Sequence, residues 1–226
     1  MKASERNLLL QIARNPEPQK VFDLLKKGKQ VESPYSEIVN AQLDMGIKEM
    51  HLPEPWSGHL SKAQAMIISS NPSISADENF PTKKWSDDEI IHFFDNRFSE
   101  NQGNVSRFWQ SMAKHVSWIF KDAAGKDTLE ILDEYVVTTE IVHCKSKNEI
   151  GIEACAEEEA KFLDSILSAF NGTYIIIFGS PAKSLYESGV FTIKNKSLKI
   201  AVLPHPNAHG VTDEERRSSL LAQLGK

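Results

Sequence analysis

The sequence predicts an α/β protein: a three-layer α/β/α sandwich around a central, mostly parallel four-stranded sheet, with a helical N-terminal extension. Three observations carry this. From residue 64 onward, short β-branched runs alternate with helical patterns, as in strands joined by helical crossovers. One run, TYIIIFG at 173–179, is continuously apolar, as expected of a strand covered on both faces. The chain has 226 residues, enough to bury one sizeable core in a single domain.

In chain order, NLLLQIA and VFDLLKKG, separated by Pro-Glu-Pro, read as two short helices within residues 5–30. Residues 34–50 are helical again, with Ile38, Leu43 and Ile47 among polar neighbours. These segments make a helical extension over 1–60, which ends in the Pro/Gly loop HLPEPWSGHL. The α/β core spans 64–226 and starts with the strand QAMIIS. A long segment follows, in which DDEIIHFFDNRF and SRFWQSMAKHVSWIF have helical spacing; Phe108, Met112, Val116 and Ile119 share one face. YVVTTEIV (135–142) is β-branched and strand-like. IEACAEEEAKFLDSILSAF is a helix stopped by Asn171 and Gly172. After TYIIIFG comes the short helix PAKSLYESG, then the strand LKIAVLP (198–204). The last helix has Thr212 as its cap and Glu215 three residues on, a capping box.

No apolar run approaches the roughly 20 residues of a membrane helix, and the N-terminal stretch lacks signal-peptide features. Two cysteines, Cys144 and Cys155, fit a reducing compartment, so a cytoplasmic protein is expected; a monomer is the expected state. The net charge of −5 does not favour bulk phosphate neutralisation. Lys145 and Lys147 in one loop, and Lys194, Lys196 and Lys199 in another, could still form local basic surfaces.

Parallel sheets gather ligands at the carboxyl ends of their strands. Four segments lie there: SSNPSIS, HCKSKNE, GSPAK and PHPNAHG. His205 sits between two prolines that restrict its backbone, and Asn71 precedes Pro72 in the same manner. Neither GxxxxGK nor GxGxxG is present. His143, Cys144, His205 and His209 come without a CxxC or HExxH pattern, so no metal is expected. A Cys144 nucleophile with a histidine partner is a weaker reading of the same loops.

With these strand ends in place, residues 64 to 224 resemble the uracil-DNA glycosylase superfamily. SSNPS resembles the family's first motif, with Ser69 where glycine is usual. His205-Pro206-Asn207 resembles its late H-P-S motif. TTEIVHCKSKNEIGIEAC and FGSPAKSLYE resemble the elements between them. The resemblance implies an enzyme that flips a base out of DNA and hydrolyses its bond to deoxyribose. It assigns Asn71 to positioning the attacking water and His205 to donating a hydrogen bond to the departing base. Pro72, Ser73, Pro206 and Asn207 would shape loops against phosphates, joined by Lys145 and Lys147. His209 would be the candidate to fill the gap left by the base. Phe80 or Trp85 would stack on the base.

The base-reading asparagine of the family aligns with Glu140. An ionised glutamate only accepts hydrogen bonds, so a base other than uracil is expected, unless Glu140 merely pairs with a lysine such as Lys145. The iron–sulfur branch of the family needs four cysteines; with two here, no cluster and no other cofactor is expected. Nothing large and apolar follows the late motif, which points to damaged or single-stranded DNA as partner, with no membrane. Two alternatives are a non-catalytic base-binding or DNA-binding protein and a hydrolase of free nucleosides or nucleotides.

Overall fold

The computed structural model describes residues 1–101, 105–206 and 208–226. Three helices open the chain: α1 (Ala3–Ala13), α2 (Pro16–Leu25) and α3 (Ser36–Asp44). The break between the first two is local chemistry. Asn15 caps α2 by accepting from the Glu17 amide, and Pro16 occupies the first turn, where its missing N–H costs nothing.

Five strands form one mixed sheet: β1 (Ser57–Gly58), β2 (Ala65–Ser69), β3 (Val136–Glu140), β4 (Tyr174–Phe178) and β5 (Lys199–Leu203). Their order is β1-β3-β2-β4-β5. β2 is parallel to both β3 and β4, and β4 to β5, while β1 runs antiparallel to β3. The expected four-stranded sheet is therefore corrected to five strands. The added edge comes from the Pro/Gly loop of the N-terminal extension, where two residues carry no period that a sequence pattern could reveal. Gly58 is required there: its φ is +96°, and a Cβ would meet the Val136 carbonyl oxygen at 2.7 Å.

Alternation along the strands places one apolar cluster on each face. Met66, Ile68, Val137, Ile175 and Ile177 point into a cluster that includes Leu9 and Ile12 of α1, so the N-terminal helices pack in the main core. Ala65, Ile67, Val136, Ile176 and Ala201 point into the other. That second cluster is covered by α5 (Arg107–Ile119), α6 (Thr128–Tyr135) and α9 (Asp213–Gln223). α4 (Asp87–Asp95) and α7 (Ile152–Ala169) cover the first; α8 (Ser180–Glu187) follows β4 and contributes Ala182 to it. α6 is an addition to the expected elements. It runs straight into β3, so its apolar residues merge with the strand's. Its start is set by a capping box between Asp127 and Glu130. Among the described residues no helix is long and apolar enough to cross a membrane.

A buried polar network ties the extension to the core. Tyr35, just before α3, donates from its hydroxyl to Glu159 Oε1 at 2.5 Å, and His143 Nδ1 lies 2.6 Å from Oε2. Burial pushes the Glu159 carboxyl up, but hydrogen bonds and charge from His143, with the Tyr35 hydrogen bond, outweigh it and hold the group below its usual range. Its stabilisation is thus present above the ordinary value of 4.5 and lost as pH falls through the depressed one. Glu159→Ala is expected to cost roughly 3–5 kcal/mol near neutral pH by stranding two buried donors. The gap to wild type in urea unfolding should narrow in acid; a gap that stays constant with pH would contradict this role.

Candidate functional site

The chain passes from β2 to β3 on one side and then to β4 on the other. This reversal opens a crevice at the carboxyl end of the central strand. A cavity of about 620 Å³ lies there, lined by Asn71, Glu140 and His205 and by the loops that carry them. Parallel pairing continues past the strands, because the amides of Ile141 and Val142 donate to the carbonyls of Ser69 and Ser70. Those bonds place Asn71 directly above the sheet edge.

The Asn71 amide nitrogen donates to the Pro72 carbonyl at 3.1 Å and to Ser146 Oγ at 2.9 Å. Both of its N–H groups are then committed, and Oδ1 is the atom left to accept a hydrogen bond. Pro72 and Ser73 line the same wall. His205 faces them from the end of β5, with its ring stacked on Phe108 at 5.4 Å between centroids and 26° between planes. Burial lowers its pKa below 6.5; Glu149 opposes the shift and Arg216 adds to it, so the ring is a neutral imidazole near pH 7. Buried Arg216 fixes the loop from behind. Its guanidinium donates to the carbonyls of His205, Ala208 and Val211 at 3.1, 2.6 and 3.4 Å.

Glu140 closes the deep end. It is 6% exposed. Oε1 accepts from Ser69 Oγ at 3.4 Å, and Oε2 is buried without a hydrogen-bond partner among the described residues. Burial raises its pKa well above 4.5, the Glu54 carboxylate raises it further, and Lys145 and Ser69 only partly oppose them. The charges nearby explain why Lys145 cannot hold the group ionised. Lys145 Nζ is engaged by Glu78 at 2.8 Å and Glu54 at 3.7 Å, and Arg97 binds Glu78 at 2.8 Å. Two cations thus already face two carboxylates, and a charged Glu140 would be a third, uncompensated one. Burial and the Glu54 charge therefore favour the protonated form of Glu140, which carries one donor and one acceptor. The expected pairing with Lys145 is corrected, since Lys145 pairs with Glu78 and Glu54 instead; the ionised form expected from the sequence is the one that burial disfavours.

Several expected contacts fall elsewhere. Lys145 is 3% exposed and stands 3.8 Å over the Phe80 ring, so it is a wall residue and cannot reach a phosphate at the surface. Phe80 is buried against His51, Phe93 and Phe94. With Trp85 it lines a separate cavity of about 490 Å³. Neither lines the cavity that holds Asn71 and His205; the aromatic residues there are Phe108 and Trp109, from the first turn of α5, and Phe178 at the end of β4. Phe108 continues the helix's apolar stripe, so spacing alone assigned it to the core. Lys147 and His209 are exposed and Pro206 is buried, all three outside the cavity lining; Asn207 lies outside the described residues.

Glu149 was not anticipated. It and Asn148 are the only non-glycine residues with positive φ among the described residues, at +61° and +54°. Such a conformation costs about 1–2 kcal/mol for most residues. Glu149 lines the cavity and accepts from Ser70 Oγ at 2.7 Å. Cys144 and Cys155 are buried free thiols; burial pushes Cys144 well up and Cys155 up to about 12, so neither is a ready nucleophile. His143 is bound to Glu159 in the core, away from His205. Among the described residues no group of three or more His, Cys, Asp or Glu side chains could hold a metal ion. No protein-family model and no curated protein matches this chain.

Proposed function

We propose that this cavity binds a nucleobase extruded from DNA and that the protein hydrolyses its N-glycosidic bond without a metal or other cofactor. The observation that carries the reading is that Asn71, the neutral His205 ring and Glu140 all line one cavity large enough for a nucleoside. Asn71 orients the water, its own rotation blocked by Ser146. His205 donates to the base oxygen on which negative charge grows as the bond breaks; a neutral donor keeps that role without first losing a proton. Phe108, stacked on His205, offers an aromatic face beside the base. Neutral Glu140 suits a lactam edge, a carbonyl beside a ring N–H, because it donates to one and accepts from the other. The repulsion that an ionised glutamate would exert on a base carbonyl is absent, so uracil returns to the candidate bases.

A second reading has its own support. Glu54, Glu78 and Glu149 also line the cavity, and Lys145 and Arg97 are consumed within it. An acidic mouth suits an uncharged free nucleoside. Turnover measured against salt separates the two. Release from an oligonucleotide should fall steeply as salt displaces phosphate contacts, whereas free-nucleoside hydrolysis that ignores salt would favour the second reading.

A further inference from the structure

We propose that Glu149 is a catalytic carboxylate of this cavity, accepting the proton of the water that Asn71 holds; this rests on the glycosidic-bond reading above. Asn71 can orient a water but cannot take its proton, because an amide has no useful basicity near neutral pH. A hydrolase of this kind gains from a carboxylate within reach of the same water. Glu149 lines the cavity together with Asn71 and His205. Its Oε1 accepts from Ser70, the residue just before Asn71, at 2.7 Å, and no described residue donates to its Oε2. The carboxylate is thus tied beside Asn71 with one oxygen left for a ligand. Its backbone is left-handed, as is that of Asn148 before it. Such backbone persists where the surroundings over-determine it, and it clusters at active sites. His205 feels the Glu149 charge, so the two groups lie within electrostatic reach of each other in the cavity that both line.

The step balances with one water. The water oxygen bonds to C1′ while the C1′–N bond breaks, its electron pair leaving on the base nitrogen. Glu149 takes one water proton, and the sugar keeps the hydroxyl. The base anion, held by the His205 N–H, takes a proton from solvent, and Glu149 returns its own to solvent. Before that transfer the Glu149 charge also favours the positive charge growing on the sugar.

Glu149→Gln tests this without disturbing the loop, because the amide oxygen can still accept from Ser70. Single-turnover base release from an oligonucleotide should fall by about 10²–10⁴-fold with substrate affinity unchanged, and the acid limb of the pH–rate profile should disappear. Ser70→Ala, which loses the hydrogen bond but keeps the carboxylate, should retain that limb. Wild-type release matched by Glu149→Gln, with the same pH profile, would overturn the assignment and leave the glycosidic reading standing. No release by wild type from any substrate would overturn both.

Discussion

Replacing His205 by alanine is expected to slow base release by about 10²–10³-fold, the usual loss when one preorganised donor to a developing anion is removed. The ring is held in place by a stack on Phe108, by Gly179 beneath it, and by Arg216 gripping its backbone carbonyl. Little of that packing stabilises the fold, because the ring sits at the open end of β5, so the thermal midpoint should hardly move. Asn71→Ala should cost a comparable factor through loss of water orientation. The double variant should lose less than the product of the two factors, since residues acting on one transition state are not additive. Single-turnover rates on an oligonucleotide check all three. Rates within about 3-fold of wild type for both single variants would remove Asn71 and His205 from the site.

Glu140→Gln is expected to do the opposite of what a substitution at a buried ionic residue usually does: it should stabilise the protein and spare function. The native carboxyl keeps its proton at pH values where the unfolded chain, titrating near 4.5, has lost it. The native state then binds more protons than the unfolded one, so wild-type stability falls as pH rises from about 4.5 toward the raised value, by roughly 1.4 kcal/mol for each pH unit. Glutamine cannot ionise, keeps a donor and an acceptor, and removes the slope. Unfolding followed upward from about pH 5 should show the variant gaining on wild type until the raised value is passed. Base release near pH 7 should survive in Glu140→Gln and be lost in Glu140→Leu, which can neither donate nor accept. Equal pH slopes for wild type and Glu140→Gln would mean that the carboxyl is ionised in the fold.

Much of the fold was legible because its signals are periodic and local. The alternation of β-branched runs with helical stripes located four of the five strands, and the Thr212–Glu215 capping box marks the start of α9. β1 was not legible, since a two-residue strand has no period. α6 was hidden because Tyr135, Val136 and Val137 run from helix into strand without a polar break. Within the site, Glu140, the last residue of β3, was singled out by the resemblance, and the positions of Asn71 and His205 followed from their places just after strands. The chemistry of Glu140 did not, because its protonation depends on burial, on Glu54 and on the commitment of Lys145 to Glu78, which comes from a distant segment. Lys145 for the same reason read as a surface cation. Phe80 and Phe108 are indistinguishable by composition. Only tertiary packing sends one beneath Lys145 and the other against His205.

The most direct measurement is abasic-site formation on a panel of single- and double-stranded oligonucleotides, each carrying one altered base, treated with wild type and with the Asn71→Ala, His205→Ala double variant. The reading of the cavity as a base-excision site predicts alkali-labile breaks at one or more lactam-bearing bases with wild type and none with the double variant. Intact strands across the whole panel with wild type, or breaks that persist in the double variant, would contradict it.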